Sequence, residues 1–280
     1  MLNKFEELSS PKAKNLKLLY SLVRKLGPVT INTLAEHTGF KHVTCGRLLD
    51  ELVAEDLIYD SGIGKSSGGR KPLAYVIKPD AYNLIGVEIT SLYTTVLLLD
   101  LKLNIIGVKK LKMITECTGE YTLNYVAKCV EDLLAEHNVP REKLLGIGIG
   151  VLDSFDPAMG VISHPQLFPA GGWDINIIEY LKHKTNTPVF LENGTNLAAL
   201  AEYRMNFWKE TDNLAFVSSD IGIDAVLFFK ADWLAEKEIW MIPLGTSSLI
   251  FMVDVVLVAH MGVSKHTVVC LLFVTKWLGS

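Results

Sequence analysis

Two groups of residues in this sequence have the types and spacing to work on a polyanion. Lys41, His42, Thr44, Cys45 and Arg47 crowd one short stretch. On a helix, those left without a core role would reach base edges or phosphates, where long donors read guanine and hydroxyls bond either kind of group. Shortly after them runs Ser61-Gly-Ile-Gly-Lys-Ser-Ser-Gly-Gly69, followed by Arg70 and Lys71. Bare glycine backbone can approach a phosphate closely, and Lys65, Arg70 and Lys71 supply positive charge, with Arg70 suited to a narrow minor groove. The four cysteines, Cys45, Cys117, Cys129 and Cys270, form no CxxC pair. They signal neither a disulfide framework nor a zinc site.

The elements that must carry these groups are legible around them. Leu16, Leu19, Leu22, Val23 and Leu26 recur at helical spacing, with Lys12, Lys14, Lys17, Arg24 and Lys25 on the other faces, until Gly27-Pro28 stops the helix. Thr30, also counted among the DNA-facing residues, can cap a short second helix that turns its Ile31, Leu34 and Ala35 inward. Thr38-Gly39 then turns the chain. A third helix is expected from about Lys41 to Leu57, with Val43, Leu48, Leu49, Leu52 and Val53 on its buried side. Ile58-Tyr59 leaves as a strand and Leu73–Ile77 returns as another, making a hairpin of the glycine-rich loop. Helix, tight turn, helix and β-wing is the arrangement of a winged helix-turn-helix, whose second paired helix enters the major groove. The same spacing also suits a three-helix bundle with solvated charges, followed by a linker.

Composition agrees with a soluble globular protein. The chain has 280 residues, 49% of them hydrophobic and 21% charged, with a net charge of −4. That sum hides a split: residues 1–78 hold 12 Lys and Arg against 8 Asp and Glu, leaving 15 against 23 for the remainder. A basic module on an acidic body suits a protein that presents one end to a polyanion. No basic segment followed by an apolar stretch opens the chain, so a cytoplasmic location is expected. The apolar runs Leu249–Ala259 and Thr267–Thr275 are each shorter than the roughly 18 residues of a membrane span, and read as buried strands or helices.

A resemblance enters at the wing. Ser66-Ser-Gly-Gly-Arg-Lys-Pro72, then Lys78-Pro79, then Ile85-Gly-Val-Glu-Ile89, resembles the junction of ROK-family regulators (repressor, open reading frame, kinase) of the NagC/XylR type. There "GGR.P" closes the wing and "GVDIG" opens a sugar-kinase-like domain. The similarity runs to about residue 229 and fades toward 270. It implies an N-terminal winged helix-turn-helix over residues 1–78, mainly α with a β-wing. Residues 79–280 would then form an α/β actin-like ATPase (ribonuclease H-like) sugar-kinase fold, C-terminally incomplete. Truncation, a shifted reading frame and degeneration are the alternatives left open for the divergent stretch after about residue 230.

Set against the family's kinases, the catalytic motifs are altered. The first phosphate turn, Asp with two glycines in the family, is here Glu88-Ile89-Thr90-Ser91-Leu92, and the Pro-Gly-Pro that shapes the sugar pocket corresponds to Leu152-Asp153-Ser154. Gly160-Val-Ile162 and Gly172-Trp173 match, which puts Trp173 beside the sugar or makes it a plain hydrophobic anchor. The stretch Pro188–Glu202 resembles "ENDANAAALAE", a strand running into a helix. Gly194 stands where the family places the Asp that takes a proton from the sugar hydroxyl. Asn193 would bond a sugar hydroxyl or cap the helix, and Glu192 would brace the turn. The second phosphate loop, "GTGIGAGI" in the family, is Ser218–Ala225 with Asp220 and Asp224 in place of glycines, where carboxylates repel nucleotide phosphates.

Farther on, Glu236–Gly245 lies on "AGEIGHIPLG", which keeps Glu238 as a sugar ligand and puts Met241 at a zinc histidine. The cysteine cluster expected next is replaced by Leu257–His266, whose His260 and His266 fall short of the four ligands of structural zinc.

Together these point to a transcription regulator, expected to be a repressor of carbohydrate utilisation genes and not an enzyme. DNA would be held by Thr30, Lys41, His42, Thr44, Cys45, Arg47, Lys65, Arg70 and Lys71. A sugar or sugar-phosphate effector would lie at Trp173, Glu192, Asn193 and Glu238. No cofactor, no metal, no catalytic residue and no membrane partner are expected, and paired half-sites imply a homodimer. The rivals are a sugar kinase with an added N-terminal domain and a relic that neither senses nor represses.

Overall fold

Ser10 starts the first helix, α1 (Pro11–Leu26), by accepting a hydrogen bond from the Ala13 amide at 3.1 Å, and Pro11 sets the first helical φ. The structure, a computed structural model, describes residues 10–63, 73–151, 155–156, 159–162, 168–207, 214–219, 223–228, 240–242, 255–261 and 268–274. Ala13, Leu16, Leu19, Leu22 and Val23 form the buried stripe of α1, and Gly27 at φ 70° ends it. A two-residue strand β1 (Val29–Thr30) leads into α2 (Ile31–Thr38), capped by the Thr30 hydroxyl. Gly39, left-handed at φ 70°, closes α2 through its amide to the Ala35 carbonyl. Then comes α3 (His42–Ala54), which buries Cys45, Leu48, Leu49 and Leu52.

That stripe corrects the expected inner face of α3. Val43 is 84% exposed and Val53 42%, whereas Cys45 is fully buried. The period explains it, because Val43 lies two residues from Cys45, about 200° around the helix. Strands β2 (Ile58–Ile63) and β3 (Leu73–Ile77) pair antiparallel from Ile58↔Ile77 to Ile63↔Leu73, and β1 adds to the free edge of β3, giving the order β1-β3-β2. Strand β1 is absent from the sequence reading, since two residues carry no alternation to read.

Residues 78–82 tie this N-terminal module to the sheet beyond it by packing as well as by chain. Lys78 donates to both carboxylate oxygens of Asp56 (2.7 and 2.8 Å), a bond that raises the ammonium above its ordinary pKa. The Leu101 amide donates to Pro79 O at 3.1 Å, and Lys143 Nζ to Asp80 O at 3.0 Å. Ala81 and Leu101 belong to the same buried cluster as Leu19, Leu34 and Leu49, with Tyr82 and Leu145 packed on it.

Beyond the junction, β4 (Asn83–Ile89), β5 (Tyr93–Asp100) and β6 (Ile105–Lys112) form an antiparallel meander, one edge of a five-stranded mixed sheet. Its other strands are β7 (Leu144–Val151) and β10 (Val189–Asn193), in the order β10-β7-β4-β5-β6, and a small pair, β8 (Phe155–Asp156) with β9 (Val161–Ile162), lies between them in sequence. Helix α4 (Gly119–Glu136) packs on β5 and β6 and on α5 (Ile177–Thr185). Alternation explains the strands: Val87, Ile89, Val96 and Leu98 are buried, as are Leu123, Val126, Val130 and Leu133 at helical spacing on α4.

Contacts divide the chain into two units, residues 1–149 with 155–191, and residues 150–154 with 192–280. The second holds α6 (Gly194–Glu202), a π-helical turn at Tyr203–Phe207 and an antiparallel sheet of β11 (Leu214–Ser219), β12 (Ile223–Phe228), β13 (Trp240–Ile242), β14 (Val255–Met261) and β15 (Val268–Val274). Its order is β13-β12-β11-β15-β14. The described parts of the late apolar runs are strands, paired from Val255↔Val274 to Met261↔Val268. Among the described residues no helix is long and apolar enough to cross a membrane.

Candidate functional site

The buried stripe of α3 leaves its opposite face to solvent. Lys41, which occupies the N-cap position without a capping side-chain bond, stands exposed with His42, Val43 and Arg47, while Thr44 is half-buried. The first turn of α3 carries no acidic residue, so nothing acidic in that turn offsets the positive end of the helix dipole. Cys45 does not join them: at 0% exposure it is core and cannot touch DNA, which corrects its place in the expected set. Thr30 is committed as the cap of α2 and bonded to the Thr33 hydroxyl at 3.2 Å. Ile31 packs beside Gly46, where an added Cβ would lie 3.9 Å from Ile31 Cδ1, an ordinary van der Waals contact. Lys65, Arg70 and Lys71 lie outside the described residues; the strands on either side of them, β2 and β3, are paired up to Ile63↔Leu73. Hydrophobicity alone places Val43 inside, whereas counting the 3.6-residue period from Leu48 and Leu52 places it on the exposed face.

The turn between β4 and β5 is closed on itself. Thr90 Oγ1 accepts from the amides of Leu92 (3.2 Å) and Tyr93 (3.1 Å) and donates to Tyr93 O (2.9 Å). Two backbone amides are thereby engaged by a side chain of the same turn.

The turn between β10 and α6 is also internally bonded. Asn193 Oδ1 accepts from the Thr195 amide at 2.8 Å and the Asn196 amide at 3.1 Å, the N-cap arrangement. Glu192 Oε1 accepts from the Asn193 amide (2.8 Å) and from Asn196 Nδ2 (3.0 Å). Asn193 thus caps, and Glu192 braces. Gly194 backs onto the end of β7, with an added Cβ 3.3 Å from Val151 O. Trp173 falls in the other unit, 1% exposed and tilted against Phe168 with ring centroids 4.5 Å apart, its Nε1 buried without a hydrogen-bond partner. It is held where Gly172 meets the start of α4: a Cβ on Gly119 would lie 2.2 Å from Gly172 O.

Glu238, Leu152, Asp153, Ser154, Asp220 and His266 lie outside the described residues. Asp224 sits on β12 opposite Ser218, Met241 on β13 opposite Val226, and His260 on β14 opposite Val269. Among the described residues, no three His, Cys, Asp or Glu side chains are grouped to hold a metal ion.

Comparison with known proteins gives this geometry its family. The sequence pattern of the ROK family matches residues 84–228, and the chain belongs to that family. It is 28% identical over 213 residues to the xylose repressor of Bacillus subtilis (strain 168), covering 76% of this chain and 54% of the relative. To the DNA-binding transcriptional dual regulator NagC of Escherichia coli (strain K12) it is 23% identical over 214 residues, 76% of this chain and 52% of that one. The chain thus spans about half the length of the curated relatives it matches. A crystal structure of a ROK family transcriptional regulator, a homologue of the E. coli MLC protein, superposes with a TM-score of 0.61 at 18% identity, over 78% of this chain and 55% of that one. The fold is of the actin-like sugar-kinase type.

Proposed function

We propose that this ROK-family chain is a DNA-binding regulator, a repressor of carbohydrate utilisation genes, whose N-terminal part is a winged helix-turn-helix and whose kinase-like part senses a ligand without turning it over. One observation carries the reading: the exposed face of α3, with Lys41, His42, Val43 and Arg47 above a buried stripe of Cys45, Leu48, Leu49 and Leu52. On this reading α3 enters the major groove, Val43 offers an apolar contact for a thymine methyl, Arg47 reaches a base edge or phosphate, and the hairpin with Lys65, Arg70 and Lys71 lies along the backbone. The names of the relatives, xylose repressor and NagC, support it.

The absence of turnover rests on three residues. Gly194 accepts no proton, Thr90 engages the amides of the first turn, and Asp224 stands where the family's second phosphate motif has a glycine. No cofactor or structural metal forms part of the reading. The active species is a homodimer on paired half-sites, working in the cytoplasm.

Band-shift titration of the full chain on DNA from its own gene neighbourhood, with competitor DNA, tests it. Specific binding is expected, with Arg47→Ala and Arg70→Ala each weakening it. Loss of one phosphate contact lowers the slope of log K against log salt by about 1, whereas loss of a base contact costs about 1–3 kcal/mol of discrimination. Binding no tighter than to competitor, or indifference to both substitutions, rules the regulator reading out.

A further inference from the structure

We propose that the turn between β5 and β6 is a plug that completes the core beneath α3, so that the kinase-like sheet holds the DNA-reading helix directly and sets how well it binds. The proposal rests on reading α3 as the DNA-facing helix, and adds to that reading the point at which the rest of the chain controls it.

The sequence places a boundary near residue 78, yet the apolar cluster of the N-terminal module does not close there. Leu48, Leu49 and Leu52, on the buried stripe of α3, share it with Ala81 and Leu101, and Leu145 of β7 packs against it. Leu101 follows β5, two strands into the sheet. Residues 1–149 accordingly fall within one compact unit. A module of about 70 residues buries too little of its own surface to be more than marginal, and apolar side chains lent by the sheet add to its stability.

The turn that carries Leu101 is built to hold it in place. Buried Asp100 accepts through Oδ1 from the Lys102 and Asn104 amides (2.8 and 2.9 Å) and through Oδ2 from Asn104 Nδ2 (2.8 Å). The Asp100 amide donates to Asn104 O at 3.1 Å, and its carbonyl accepts from the Leu103 amide at 3.0 Å. Leu103 sits at φ 65°, left-handed backbone that a leucine resists and that persists where its surroundings enforce it. On the module side, the Leu101 amide donates to Pro79 O at 3.1 Å. A carboxylate thus fixes the turn, a backbone bond fixes it to the junction, and Leu101 fills the cluster. Close-packed cores pass on a displacement instead of absorbing it. A shift of this turn therefore reaches Leu48, Leu49 and Leu52, and with them the face of α3 that carries Lys41, His42 and Arg47. A free hinge at residues 78–82 would pass on nothing of the kind.

Two measurements on the full chain test this: hydrogen exchange at the amides of α1 and α3, and a band shift on DNA from its gene neighbourhood. In Leu101→Ala those amides are expected to exchange about thirtyfold faster, the lower end of what truncating a buried leucine costs. A chain of ordinary stability stays folded through such a loss, so a fall in DNA affinity, expected at about tenfold, reports the placing of α3. Asp100→Ala, which keeps Leu101 but frees the turn, is expected to move both readings the same way by a smaller factor. Parent exchange rates in Leu101→Ala overturn the proposal, since the module would then stand by itself. Unchanged affinity beside faster exchange overturns it too, because the turn would then be a structural support alone. If the unaltered chain binds no DNA specifically, the regulator reading falls and control of binding falls with it, while exchange still decides the shared core. Should Leu101→Ala fail to fold, Leu101→Val and Asp100→Ala carry the same two readings.

Discussion

Gly194→Asp puts a carboxylate where the resemblance places the proton acceptor of the family's kinases, and tests whether its absence would account for the proposed lack of turnover. The substitution fits. Its Cβ would lie 3.3 Å from Val151 O, 3.6 Å from the carbonyl carbon and 4.0 Å from Gly150 C, tight enough to require a shift of a few tenths of an ångström. Replacing a helical glycine by aspartate favours the folded state by only about 0.3 kcal/mol, and a carboxylate in the first turn of α6 adds about 0.3–1 kcal/mol through the helix dipole. Against this stand the close approach and the Glu192 carboxylate nearby, a repulsion of about 1 kcal/mol in a solvated setting. The terms nearly cancel, so the variant should fold within about 1 kcal/mol of the parent. A positioned base contributes roughly 10²–10⁴ to rate, but only once the nucleotide phosphates are held. With the Leu92 and Tyr93 amides engaged by Thr90, we expect no sugar-dependent ADP release above the unaltered chain in a coupled assay with ATP and hexoses. A rise of about 100-fold, the lower end of the base's contribution, would refute the reasoning, since the Thr90 turn would then be no barrier.

Gly119→Ala should destabilise the protein although alanine is the better helix former by about 1 kcal/mol, because its Cβ would stand 2.2 Å from Gly172 O and overpacking costs about 1–3 kcal/mol or more; a thermal melt with an unchanged or raised midpoint would count against the observed contact. Cys45→Ser is expected to cost about 1–3 kcal/mol by burying a hydroxyl at a fully enclosed position, seen in denaturant unfolding. Val43→Ala, at 84% exposure, should stay within about 0.5 kcal/mol of the parent yet weaken DNA binding. The reverse pattern in these two would mean that α3 is turned the other way.

How far the sequence can be read depends on whether the deciding information is periodic. The three N-terminal helices are legible because Leu16, Leu19, Leu22 and Val23 repeat on one face and because Gly27 and Gly39 stop the first two at positive φ. The strands around Ile85 and Leu98 are legible from alternation. The face of α3 is not, because Val43 and Cys45 are both apolar enough to be placed inside, and hydrophobicity alone favours the wrong one. Phase, fixed by Leu48, Leu49 and Leu52, assigns the small thiol to the core and the branched valine to solvent. The short strand β1 stays hidden for a different reason: its place depends on the edge of β3, paired as Val29↔Tyr75, a contact between residues far apart in sequence.

At the β10–α6 turn the limit is of another kind. Residue types there name donors and acceptors without saying which are already paired. Asn193 reads equally well as a ligand group and as a cap, and its Oδ1 proves to be spent on two backbone amides. Glu192 reads as a brace and takes two donors. Once these partners are assigned, the residue whose Oδ1 is left without a partner is Asn196, which no pattern in the sequence distinguishes from an ordinary first-turn helix residue. The same accounting separates the two turns that matter for phosphate chemistry. At Thr90 a hydroxyl occupies backbone donors, and at Asn193 a carboxamide does so, with a carboxylate beside it. Two unrelated side chains thus engage backbone amides, one in the turn between β4 and β5 and one in the turn entering α6, and on the proposed reading this is the physical ground for expecting a bound ligand to be left unchanged.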